Sequence, residues 1–198
     1  MTGPVVDYLV ARHGAPPFSG RAYDYLLAGD GLFVSAGNAN VELRIPVAEC
    51  TVRGLPPLYA ACALKHGRIP ERIWDQIIHC LDMAHVAGCE MFVGVRHDAA
   101  GYRLSIPTQR VGPVSVCYPP QEDLVLEVHS HGSGPAHFSG TDTRDEQRLR
   151  LYAVVGRLDC DRPQVALRAG VYGYFMPVSW SSVFGGDPGL VNDLFDEA

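Results

Sequence analysis

The chain has 198 residues, nearly half of them apolar, and its 16 Lys and Arg against 22 Asp and Glu give a formal net charge of −6. That composition suits a packed core in one domain, or in one domain with a small appendage. Arg144, Arg148 and Arg150 sit among Asp142, Asp145 and Glu146, so no basic cluster points to nucleic acid, and no apolar run reaches the roughly 18 residues of a membrane helix.

The start, MTGPVVDYLVARHG, lacks the basic, apolar, small-residue order of a signal peptide, so a cytoplasmic protein is expected. Cys50, Cys62, Cys80, Cys89, Cys117 and Cys160 are scattered without a C-x-x-C pair, and the expectation is buried free thiols. Residues Met1–Gly20 carry Gly14, Pro16, Pro17 and Gly20 and no periodicity, which predicts an arm or loop. Tyr23–Val47 holds two apolar runs joined across Gly29-Asp30-Gly31, a hairpin signal, then NVELRIPV with strand alternation. Met1–Arg68 therefore reads as a β-rich N-terminal appendage to a domain spanning Ile69–Gly186, followed by a short acidic tail, Asp187–Ala198.

Ile69-Pro70-Glu71 starts a helix, since Pro suits a first turn and an acid suits the positive end of the helix dipole. Its apolar face comprises Ile73, Trp74, Ile77, Ile78, Leu81, Met83 and Val86, and Gly88 stops it. His79 and His85 on this helix read as packed or surface histidines. Cys89–Val95 is the next strand, opened by Glu90, and Tyr102–Ile106 its hairpin partner. Val114–Tyr118 is a further strand. After Asp142 the chain reads as helical, with Asp145 and Glu146 as first-turn acids. Leu151–Leu158 and Val165–Met176 read as paired strands, with Gly170 and Gly173 marking a bulge or close approach in the second. VNDLF in the tail reads as a frayed helix.

The remaining stretch carries the chemistry. Leu124–Val128 is a buried strand, and His129 and His131 follow it two residues apart, on one side of the pleat. A turn can bring Asp142 back to them. Two neutral imidazoles and one carboxylate leave a fourth place for water, the donor set of an open catalytic zinc site. Ser139-x-x-Asp142 is also a helix N-capping pattern, although a capping box prefers Glu or Gln at the fourth place. A ligand on the first turn of a helix is well held. Glu127 shares a face with His129 and could act as a base or orient a ligating imidazole. His137 sits in the spacer and is expected to face solvent.

The sequence H-S-H, seven residues, then S-G-T-D resembles the signature of the JAMM (MPN-type) metalloproteases. The resemblance spans about Ile69 to Gly186. It implies an α+β fold, a cytidine-deaminase-like mixed sheet flanked by helices. It also implies one zinc ion on His129, His131 and Asp142, with Ser139 bonding the substrate oxyanion. Glu90, directly after the long helix, matches the family's upstream Glu that handles the proton of water, and Glu127 ranks second for that role. The family often has Pro after the second His, where this chain has Gly132. The wider chain is similar to a component of bacterial PRTRC cassettes, which implies the company of a ThiF-type activating enzyme and a small ubiquitin-like protein as substrate. A non-catalytic MPN-like binding module is the alternative. Other His-x-His families fit less well. Pro135 and Ala136 stand where a cupin has Glu, and the H-x-E and P-C-x-x-C pairs of cytidine deaminases are missing. A (β/α)8 barrel usually needs about 250 residues.

Overall fold

A computed structural model describes residues 5–187 and 191–195. The first residues of the expected arm, 1–4, and the last of the acidic tail, 196–198, lie outside them. In chain order the elements are β1 (Val6–Val10), β2 (Tyr23–Leu27), β3 (Gly31–Gly37), β4 (Val41–Glu49), β5 (Ala61–Leu64), α1 (Glu71–Val86), β6 (Phe92–Asp98), β7 (Gly101–Ser105), β8 (Arg110–Gly112), β9 (Ser115–Cys117), β10 (Leu124–Ser130), α2 (Gly140–Asp145), β11 (Arg150–Gly156), β12 (Gln164–Val171), β13 (Tyr174–Pro177), α3 (Trp180–Val183) and β14 (Asn192–Asp193).

The fold is mixed α+β. A seven-stranded sheet runs β13-β12-β11-β10-β6-β7, with β14 added beside β12. β10 and β11 pair in parallel and their outer neighbours β6 and β12 are antiparallel. The near-continuous apolar run of β10 and the wholly buried β11 belong at the centre of such a sheet, covered on both faces. Helix α1 covers part of it with Ile73, Trp74, Ile77 and Leu81, and the Trp74 ring meets Phe184 at 5.0 Å and Trp180 at 6.0 Å. The first five strands form a second sheet in sequence order, β1 to β5, whose Val34, Ala36, Leu43 and Ile45 are buried in the same cluster as Leu167, Ala169 and Val171.

Several local expectations give way. The arm contains β1, which pairs in parallel with β2. Met83 and Val86 stay 61% and 85% exposed, because at 100° per residue they fall on the side of α1 turned away from Trp74, Ile77 and Leu81. The second of the paired strands splits into β12 and β13 at Tyr172-Gly173, a left-handed turn, while Gly170 marks the expected close approach, a Cβ there standing 2.5 Å from Tyr152 Cε2. VNDLF contributes β14, not a helix. The thiols are free, but Cys50, Cys117 and Cys160 are exposed and only Cys62, Cys80 and Cys89 are partly covered. Burial raises the Cys62 thiol to about 11. No helix of the described residues is long and apolar enough to cross a membrane.

Candidate metal centre

His129 is held at the end of β10, opposite Phe92 of β6 on one side and Val154 of β11 on the other. The backbone of His131 still reaches β11 through its N–H to Val155 O at 2.8 Å. Gly132 then turns left-handed, φ +54°, with His85 Nδ1 3.3 Å from where a Cβ would stand. Proline, fixed near φ −65°, has no place in that turn, so the departure from the family pattern follows from the backbone.

The turn returns Pro135 O to His131. The His131 Nδ1–H donates to that carbonyl at 3.1 Å, which fixes the tautomer and leaves the Nε2 lone pair for a metal. His137 Nδ1 donates to the same oxygen at 3.1 Å and its ring lies 4.9 Å from His131, although the residue is exposed as expected. The loop itself is pinned to the end of β11. A Cβ on Gly156 would come within 2.4 Å of Gly134 O and 2.5 Å of Ala136 N. Both are backbone atoms, so Gly156→Ala must displace the loop and with it Pro135 O. The expected outcome is a loss of about 1–3 kcal/mol, the range of overpacked sites, together with weaker zinc binding, read by thermal denaturation with and without the ion.

Asp142 arrives on α2. Ser139 is its N-cap: Ser139 Oγ accepts from Asp142 N at 3.2 Å, and Asp142 Oδ2 accepts from Ser139 N at 2.6 Å. The shorter Asp thus closes a full capping box in place of Glu. This reciprocal pair uses Oδ2 and turns Oδ1 toward His129, 3.6 Å from its Nε2. The Ser139 hydroxyl proton is left to donate elsewhere, because Oγ serves the helix only as an acceptor.

His129, His131 and Asp142 each offer a ligand atom within 4.8 Å of the others. Metal–ligand bonds of about 2.0–2.2 Å place tetrahedral ligands roughly 3.4 Å apart. The His129–Asp142 separation already has that size, and no pair of the three is more than 4.8 Å apart. His129 Nε2 is buried without a hydrogen-bond partner, a costly state for a polar atom that a cation relieves. Burial lowers the His129 pKa to about 4, outweighing the Asp142 charge, so the ring is neutral at pH 7 with its lone pair available. For Asp142 burial pushes the carboxyl up, but the His129 ring and the Ser139 bonds pull harder and hold it below the usual range. Donor type, protonation and the unsatisfied nitrogen all suit zinc.

Glu90 lies just before β6 rather than on it, and lines a cleft of about 1230 Å³ with His129, His131, Asp142 and Ser139. Its N–H donates to Gly112 O at 2.8 Å. Its neighbour Met91 is clamped by Ser130, whose Oγ accepts from Met91 N at 3.0 Å and whose N–H donates to Met91 O at 3.1 Å. Ser130, the middle residue of H-S-H, thus faces away from the imidazoles and fixes the segment that carries Glu90. Strand alternation contained that signal; the partner was not legible. Burial and then the Asp142 charge raise the Glu90 pKa. Glu127 also lines the cleft but is taken up by Arg150, Nη1 to Oε1 at 2.5 Å, and makes no bond to His129. Glu146 is not a first-turn acid. It caps the C-terminal end of α2 and is buried against Arg168.

The model of the family described as prokaryotic homologues of the JAB domain matches residues 62–169, more than half of the chain. The match begins in β5 and ends in β12, where the sequence resemblance ran from Ile69 to Gly186. A comparison with curated proteins finds no match. With the histidine pair at the end of the central strand and the capped aspartate facing it, the chain belongs to the prokaryotic JAB family.

Proposed function

We propose that this chain is a zinc-dependent metallopeptidase that hydrolyses a peptide or isopeptide bond at the C-terminal tail of a ubiquitin-like protein. One observation carries the reading: a buried His129 Nε2 makes no hydrogen bond, faces Asp142 Oδ1 at 3.6 Å, and lies in the wall of a cleft of about 1230 Å³. His129, His131 and Asp142 hold one zinc ion, which when bound polarises the scissile carbonyl and brings the pKa of water to about 7. Glu90 takes the proton of the attacking water and delivers it to the leaving amine. The Ser139 hydroxyl donates to the oxyanion that forms on the carbonyl. Pro135 O and the capping box keep the ligands oriented while this happens. The sequence resemblance to PRTRC components supports a ubiquitin-like substrate and a ThiF-type activating enzyme as its partner in the same cassette.

The test is hydrolysis of a ubiquitin-like protein carrying a C-terminal amide fusion. The zinc-loaded chain is expected to carry one ion, to lose activity on chelation and to regain it with zinc. His129→Ala is expected to hold no zinc, by elemental mass spectrometry, and to release no product. Equal turnover by the wild type and His129→Ala would falsify the hydrolase reading.

A further inference from the structure

We propose that Tyr8, Tyr23, Tyr25, Tyr172 and Tyr174 form a docking face for the folded body of the protein whose tail enters the metal cleft. The inference rests on the hydrolase reading above and adds to it a second recognition site. The five rings come from both sheets. Tyr8 of β1 stacks on Tyr25 of β2, centroids 5.4 Å apart and planes 15° apart, and Tyr23 meets Tyr25 edge-on at 5.4 Å. Tyr23 lies 5.9 Å from Tyr172 and 6.0 Å from Tyr174 across the gap between the sheets. The Tyr25 and Tyr174 hydroxyls share a hydrogen bond of 2.6 Å.

This face is held rigid yet left open. Tyr8 is 73% exposed and Tyr172 42%, although both rings contact other tyrosines. The five side chains offer ring faces and hydroxyls, so the face suits an apolar patch rimmed by hydrogen-bonding groups on a partner. Tyrosine gives such contacts large area at small entropic cost, and it is enriched where proteins bind one another.

Two further observations identify the occupant. Tyr172 lines the same cleft as His129, His131 and Asp142, so the tyrosine face begins at the cleft rim. A tail lying in that cleft is covalently joined to a body that must stand beside the rim. The second is the backbone of Tyr172 itself. It sits at φ +46°, followed by Gly173 at φ +93°. A two-residue turn of this kind favours Asn-Gly, and a bulky aromatic there is uncommon and unfavourable. Holding a tyrosine in such a turn lowers stability, which is the mark of a residue kept for contact rather than for the fold.

The experiment uses the zinc-loaded chain and its Tyr8→Ser and Tyr172→Asn variants. The probes are a mature ubiquitin-like protein with a free C-terminus, which cannot be cleaved, and its six-residue tail carrying an amide-linked coumarin. Calorimetry is expected to show the mature protein binding each variant about tenfold more weakly than wild type, the scale of a lost aromatic anchor. Tyr8→Ser should hydrolyse the tail peptide as the wild type does, and Tyr172→Asn should melt no lower than the wild type. Unchanged affinity in both variants overturns the docking face, as does a lower melting temperature for Tyr172→Asn. Sedimentation showing that Tyr8→Ser splits a wild-type dimer also overturns it, because the face would then belong to a second copy. Weakened binding by the variants with no hydrolysis by any protein would uphold the face and defeat the hydrolase reading; hydrolysis with unaltered binding would do the reverse.

Discussion

Glu90→Gln is expected to lower kcat by about 10²–10⁴-fold, the usual contribution of a positioned proton carrier, while zinc content stays at one ion per chain. That loss corresponds to about 3–5 kcal/mol of barrier. Glutamine keeps the shape and the Gly112 contact of the backbone, so only the proton transfer is removed. The choice of Glu90 over Glu127 follows from what each carboxylate already does. Glu127 is half-buried in an ion pair with Arg150, whose other nitrogen donates to Gln121 O at 3.1 Å. Burial raises the Glu127 pKa despite Arg150, but its carboxylate is committed to that guanidinium and is not free to turn to a water in the cleft. Among the described residues no basic side chain pairs with Glu90, and burial and the Asp142 charge both raise its proton affinity. Glu127→Gln should therefore lower the melting temperature more than kcat. Single-turnover rates with elemental analysis of the same samples decide the matter. A zinc-replete Glu90→Gln as fast as the wild type removes Glu90 from the chemistry, and a dead Glu127→Gln transfers the role.

What the sequence disclosed and what it hid divide along the distance between partners. The apolar run before His129 announced a central strand, since burial on both faces leaves no alternation to misread. Ser139 and Asp142 are three residues apart, so their reciprocal bonding was legible as a cap, and the same cap presents the ligand oxygen. The hairpin at Gly29-Asp30-Gly31 and the start of α1 after Pro70 were local too. Non-local partners decided the rest. Glu146 looks like a solvated acid until Arg168, 22 residues on, is brought beside it by β12. Val6–Val10 becomes a strand only because β2 lies alongside in parallel, a pairing no local pattern encodes. Val191–Phe195 has a strand partner only once Gln164 and Val165 are in place. The buried stripe of α1 continues past Leu81 only as the half-buried Ala84 and His85, and Met83 and Val86 lie outside it, which the count of apolar residues alone did not separate.

Arg168→Met should destabilise the fold by about 3–5 kcal/mol, the cost of orphaning one partner of a buried ion pair. Arg168 donates from Nε and Nη2 to Glu146 Oε2, at 2.9 and 2.5 Å, and from Nη1 to Thr143 Oγ1 at 3.2 Å. Its guanidinium lies 3.8 Å from the centroids of both Phe138 and Phe175, a stacked position that methionine fills only in part. The consequence reaches the metal. Helix α2 has six residues, far too few to persist on its own propensity, so it depends on its ends. Ser139 secures one end, and Arg168, through Glu146 and Thr143, secures the other. Releasing the second end loosens Asp142, and the Arg168→Met protein should both melt earlier and bind zinc more weakly. For a chain of this length the melting temperature falls by about 2–4 °C per kcal/mol. Adding Glu146→Leu removes the stranded carboxylate, so Arg168→Met/Glu146→Leu should recover much of the stability while zinc affinity stays reduced, because the anchor of α2 is still missing. Calorimetric melting and zinc titration of the three proteins separate these effects. An Arg168→Met protein that matches the wild type in both measurements would show that α2 holds Asp142 without help from β12.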